Sequence, residues 1–209
     1  MKQMAVVAST GSLDFEAERK AISEATGYVP EGPQKAPNEA YGKIHLVRPY
    51  KGHQIHFEQE TKEGWGSWSM GAFWSSDCRP ELALHIADAS LTGIGAMAKN
   101  HLTNLKREFK PQFPTELVLS NPDLAKRFRA WGSDPSGLLE REDFVAAMLA
   151  LPEVDLLCKD GRAALADPLQ KSMSPPGGPT ALLKLSPEER VEFTIAAHNR
   201  MAELLATLW

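Results

Sequence analysis

KIHLVRPY (43–50) and HQIHFEQET (53–61) flank the dipeptide Lys51-Gly52, and the reading of this stretch decides the fold. Each side alternates apolar with polar residues. The dipeptide between them places a glycine where a tight hairpin turn needs a positive φ. With Lys51-Gly52 as the loop, His45 pairs with Glu58 and Val47 with His56. Side chains alternate across a sheet, so His45, His56 and Glu58 share one face within a diagonal of one another.

The pattern continues downstream. GSWSMGAFW (66–74) alternates large and small residues, and PELALHIAD (80–88) sets Leu82, Leu84 and Ile86 against Ala83, His85 and Ala87. These ribbons together predict a four-stranded antiparallel meander. Upstream, DFEAERKAISEATG (14–27) reads as a helix with Asp14 as N-cap and Gly27 as its stop. YVPEGPQKAPNEAYG (28–42), with its prolines and glycines, reads as a surface linker.

The second half is mixed. A helix is expected over 91–109 and is broken by FKPQFP (109–114). TELVLS (115–120) reads as a strand. Asn121-Pro122-Asp123 starts a helix running through DLAKRFRAW (123–131), and another helix covers 138–151 up to Pro152. Asp160-Gly161 between two apolar runs marks a second hairpin, and SMSPPGGP (172–179) a loop. Ser186-Pro187-Glu188-Glu189 combines an N-cap, a first-turn proline and a capping-box glutamate. Val191, Ile195, His198, Ala202, Leu205 and Trp209 follow at helical spacing and need an apolar surface to cover them.

The expected class is therefore α+β: an antiparallel meander in the first half, helices and a further hairpin in the second, and a C-terminal amphipathic helix packed on the core. The expected organisation is a helix and Pro-rich linker over 1–40, a sheet subdomain with its following helix over 41–110, and an α+β subdomain over 111–209. The last two are able to share one core.

Composition sets bounds on function. The 209 residues are 43% hydrophobic and 24% charged, with a net charge of −4. That is an ordinary globular balance with no overall attraction to nucleic acid or anionic lipid. Cys78 and Cys158 stand alone, without a Cys-x-x-Cys or Cys/His zinc pattern, and are expected as reduced thiols. No apolar run reaches the roughly 20 residues that cross a bilayer, and 1–7 lacks a cleavage signal, so the expected location is the cytoplasm. Phosphate-binding loops, the Gly-x-Ser-x-Gly elbow and the His-Glu-x-x-His zinc motif are all missing from the sequence.

The order of elements, with YGKIHLVRPYKGHQIHF (41–57) followed by LSNPDLAKRFRAWGSDP (119–135), resembles a broad set of uncharacterised bacterial proteins. Its matching positions are Asp123, Phe128, Trp131 and Asp134-Pro135. The resemblance covers roughly residues 16–170. It implies a fold and a bacterial source and brings no catalytic residue with it.

Four groups of residues invite a functional reading. His45, His56 and Glu58 offer two imidazoles and a carboxylate, a set suited to zinc or another divalent ion and to a metal-dependent hydrolase. Trp65, Trp68, Phe73 and Trp74 form either core or an aromatic recognition surface. Lys99, His101, Lys106, Arg107 and Lys110, with Lys126, Arg127 and Arg129, form two basic clusters able to meet nucleic acid or an acidic partner, although no nucleic-acid-binding motif accompanies them. Val191, Ile195, Leu205 and Trp209 offer an apolar helix face for a protein partner or a second copy. With catalytic motifs missing and that face present, the leading expectation is a non-enzymatic protein without a cofactor, acting through protein–protein contact.

Overall fold

A computed structural model describes residues 15–31, 41–64, 67–89, 111–152, 154–167 and 184–209. The deciding hairpin forms in the expected register. β2 (Tyr41–Tyr50) and β3 (His53–Gly64) pair His45 with Glu58 and Val47 with His56. Lys51 (φ 47°) and Gly52 (φ 86°) both take the left-handed conformation that matches strand twist in a two-residue turn. β4 (Ser67–Asp77) adds antiparallel to β3.

The meander ends there. β5 (Ala83–Asp88) does not join β4. The hairpin of β8 (Asp155–Lys159) and β9 (Arg162–Asp167), turned on Asp160 (φ 53°) and Gly161 (φ 74°), lies between them. With β1 (Val29–Pro30), β6 (Glu116–Leu117) and β7 (Phe128–Ser133), the order across one nine-stranded sheet is β1-β2-β3-β4-β9-β8-β5-β7-β6. The reason lies in β5 itself. Leu84, His85, Ile86 and Ala87 are all buried, so this strand is covered on both faces and needs partners on both edges, which β8 and β7 supply. One sheet thus draws strands from all three segments expected from sequence.

One transverse row explains the cohesion of the sheet. Leu46, Phe57, Trp74, Leu165, Leu156, Ile86 and Ala130 stand opposite one another on successive strands. All are 4% exposed or less. The helices cover this row in one continuous core. α1 (Phe15–Thr26) ends at Gly27 (φ 72°), whose N–H donates to the Ser23 carbonyl. α2 (Pro122–Arg127) is capped by Asn121 Oδ1, which accepts from the Asp123 and Leu124 N–H groups. α3 (Glu142–Leu149) follows a 3-10 turn at Leu138–Glu140. α4 (Pro187–Ala206) opens with the full capping box of Ser186 and Glu189.

Several sequence expectations need correction. The segment from 28 is not wholly a surface linker: Tyr28 is buried and Val29–Pro30 forms an edge strand on β2. The helix read through 123–131 stops at Arg127. From Phe128 the burial period becomes two, with Phe128 and Ala130 inward and Arg129 outward, and the chain is a strand. The strand expected over 115–120 shrinks to Glu116–Leu117, with Val118 exposed. The helix expected over 138–151 is split because the Asp134 carboxylate holds the Leu138 and Leu139 N–H groups at 2.9 and 2.8 Å. The helix expected over 91–109 and the loop at 172–179 lie outside the described residues.

Arg48 binds the sheet to its helices. It is 2% exposed. Nη1 donates to the Thr26 carbonyl and to Asn199 Oδ1 (both 3.1 Å), and Nη2 donates to the His198 carbonyl (3.2 Å). The guanidinium also lies 4.9 Å from the Tyr28 ring centroid and 5.0 Å from that of Tyr50. The Thr26 carbonyl belongs to the last turn of α1, where no intrahelical donor remains and the dipole favours a cation. Beside it, Trp74 Nε1 donates to His198 Nδ1 at 3.1 Å, which requires a lone pair there. Burial, and then the Arg48 charge, push the His198 pKa from 6.5 down to about 3.

Arg48→Met leaves the Thr26 carbonyl and Asn199 Oδ1 without their buried donor, and is expected to lower the unfolding free energy in denaturant titrations by about 2–3 kcal/mol. Arg48→Lys, lacking the planar fork, recovers only part of this. His198 adds an acid dependence. Between pH 6.5 and about 3 the unfolded chain binds a proton that the fold excludes. Stability present above that window is therefore lost as pH falls through it, with a slope approaching about 1.4 kcal/mol per pH unit. Urea midpoints followed against pH are expected to show this slope, and His198→Gln to flatten it.

Candidate metal centre on the outer face

Strand alternation that turns Leu46 and Arg48 toward the helices turns His45 and Val47 the other way, together with His56 and Glu58 of β3. The edge strand brings a third element. Val29 pairs with Val47 and Pro30 with Leu46, so Glu31 comes opposite His45, and the Glu31 N–H donates to the His45 carbonyl at 3.0 Å. Proline lacks an N–H, so an edge is where a strand tolerates it.

The three side chains converge. His45 Nε2 lies 3.2 Å from His56 Nδ1, and Glu31 Oε2 lies 3.2 Å from the former and 3.3 Å from the latter. The imidazoles are stacked, with centroids 5.4 Å apart and planes inclined by 27°. Two ring nitrogens and a carboxylate oxygen in mutual contact can be joined by ring N–H donors or by a metal ion. Zinc–nitrogen and zinc–oxygen bonds of about 2.0–2.1 Å in a tetrahedron place ligand atoms about 3.3–3.4 Å apart. The observed triangle has nearly that edge. The histidine side chains are 26% and 25% exposed and that of Glu31 49%, so the triad is reached from solvent.

Glu58 does not join this group. It stands across from His45 in the ladder, but the mutually adjacent ligand atoms are those of Glu31, His45 and His56. Glu31 escapes a sequence reading because it follows a proline-rich cue for a linker. Val29-Pro30, a β-branched residue followed by an edge-compatible proline, is the signal that could have placed it.

A second histidine–carboxylate pair proves inert by geometry. His85 Nε2 lies 2.8 Å from Asp155 Oδ1, while His85 Nδ1 accepts the Gln112 N–H at 3.0 Å. With both nitrogens engaged, no lone pair is left to take a proton from a substrate. The ring instead fastens the segment at 112 to the sheet.

The other sequence candidates are dispersed. Trp74 is fully buried in the core and is not a recognition surface. Trp65, Lys99, His101, Lys106, Arg107 and Lys110 lie outside the described residues, as does the side chain of Trp68. Arg127 donates to the Leu149 carbonyl (2.9 Å) and the Leu151 carbonyl, closing the end of α3. Arg129 donates to the Ala125 and Phe128 carbonyls at the end of α2. Leu205 is buried in the chain's own core. Trp209 stacks on His53, with centroids 4.0 Å apart, and donates to Ser76 Oγ. Val191 and Ile195 are half-buried, because the inward face of α4 is centred on Thr194, Ala197, Met201 and Leu204. A groove of about 510 Å³ between α3 and α4 has an alanine floor at Ala146, Ala147 and Ala150, with Lys51, Arg200 and Glu203 on its rim.

Among the described residues, no helix is long and apolar enough to cross a membrane. No family model matches the chain, and neither a curated protein nor a solved structure does. Its chemistry therefore rests on the residues themselves. Arg127→Ala is expected to lower stability in denaturant titrations by about 1–3 kcal/mol, through the carbonyls it leaves unpaired at the end of α3.

Proposed function

We propose that the protein binds one divalent transition-metal ion, zinc being the best match, through His45 Nε2, His56 Nδ1 and the Glu31 carboxylate. The observation that supports this most directly is the triangle of donor atoms with edges of 3.2–3.3 Å. Two imidazoles and one carboxylate suit zinc, and three protein ligands leave a fourth position toward solvent. A bound ion there would acidify a water and support metal-dependent hydrolysis. Glu58, beside His45 in the ladder, is placed to act as an outer carboxylate. Partner binding through α4 or the 126–129 cluster has weaker support, since Leu205, Trp209, Arg127 and Arg129 are engaged within the chain. Two buried free thiols suit a cytoplasmic setting.

Titration of chelator-treated protein with zinc, followed by calorimetry, and with cobalt, followed by its visible absorption, tests the proposal. One ion per chain with a tetrahedral cobalt spectrum is expected, with affinity falling in acid as protons compete for the imidazoles. His45→Ala and His56→Ala should each weaken binding beyond the roughly 10–100-fold cost of losing an outer-shell partner. Glu31→Gln should weaken it more than Glu58→Gln does. Zinc binding indifferent to both histidine substitutions, or no binding at all, sinks the proposal.

A further inference from the structure

The groove between α3 and α4 follows from the residues that line it. Ala146, Ala147 and Ala150 lie along one face of α3, and Ala206 answers them from α4. Residues three and four apart share a helix face, and methyl side chains leave open the space that leucines would fill. The resulting volume of about 510 Å³ is that of a small-ligand site. It opens on the helix side of the sheet, away from the histidine triad.

The polar groups around this floor are unequally committed. Glu203 accepts from Tyr50 Oη and, at 2.9 Å, from Lys51 Nζ. Asp143 accepts from Arg141 Nε and Nη2 at 3.1 and 2.5 Å. Each carboxylate on the groove thus has a cation of its own. The donors do not have acceptors to match. Asn199 Oδ1 takes a hydrogen bond from Arg48, which fixes the amide and leaves Nδ2 without an acceptor among the described residues. Arg200 is half-buried on the same wall. Its Nε is buried with no hydrogen-bond partner, and among the described residues no carboxylate lies within ion-pair distance of its guanidinium. One positive charge is left over, beside an apolar floor.

We propose that this groove binds a small aliphatic monocarboxylate, independently of the metal reading. The planar guanidinium of Arg200 matches a carboxylate bidentately, and the Asn199 amide supplies a further donor. The hydrocarbon body lies along the alanines and is removed from water there. A single negative charge balances the one cation that has no partner. A phosphate dianion would exceed it, and an alcohol would leave it unmet.

Calorimetric titration of the full chain with sodium octanoate tests the proposal, with sodium hexanoate, 1-octanol and inorganic phosphate titrated alongside. One octanoate per chain is expected, with a dissociation constant of about 0.1–1 mM. Hexanoate, two methylenes shorter, should bind roughly tenfold more weakly. Arg200→Gln should weaken octanoate by about tenfold or more, and Arg200→Lys by less. Ala146 is exposed, so Ala146→Phe should fill the groove and abolish binding while the thermal midpoint stays unchanged. In nitrogen-15 spectra, octanoate should shift the amides of Ala146, Ala147 and Asn199. No saturable octanoate binding to the wild type overturns the proposal. So does equal affinity for octanol or phosphate, or octanoate affinity indifferent to Arg200→Gln and Ala146→Phe.

Discussion

A buried guanidinium with all its hydrogen bonds on neutral oxygens sets the geometry of this molecule. Arg48 reaches the end of α1 through Thr26 and the middle of α4 through His198 and Asn199, from a strand in the sheet. Such a group is costly to desolvate and is kept only where its acceptors are well placed. Its position leaves β2 no freedom to slide. A one-residue slip would expose Arg48 and Leu46 and turn His45 inward. The inner polar contact and the outer histidine pair are two faces of one register.

That register also explains why the outer face can hold chemistry. Glu31, His45 and His56 come from three adjacent strands, so their spacing is fixed by ladder hydrogen bonds and not by loop conformation. The imidazole nitrogens lie beside one another across the strands, where a ring N–H or a metal ion can join them. His85 is the instructive contrast. It has the same type of carboxylate neighbour, but a backbone N–H fills its second nitrogen and the ring becomes a fastening. The difference between a site and a support here is one lone pair.

What could be read from sequence follows the range of the forces involved. The Lys51-Gly52 and Asp160-Gly161 turns, the His45–Glu58 register and the Ser186 capping box were readable because local backbone chemistry specifies each of them. The insertion of β8 and β9 beside β4 was not, since no local pattern announces a partner some 90 residues away. Arg127 and Arg129 looked like a basic patch because sequence shows charge but not the unpaired carbonyls that engage it. Glu31 was hidden for a related reason: proline and glycine around it signal a turn, while its role depends on an edge that exists only once β2 is in place.

The inserted hairpin has a consequence for how the chain comes to be folded. During synthesis β4 and β5 are made early, yet the strands that join them are made much later, and α4, which carries two of the acceptors for Arg48, later still. Until then the nascent chain carries two open sheet edges and a charged side chain with no place to go. Pairing of such long sequence separation slows folding and leaves those edges open to other chains. Emergence of the hairpin from the ribosome is thus the event that turns two incomplete ribbons into one sheet, and a chain truncated before it would be a candidate for aggregation and for chaperone capture.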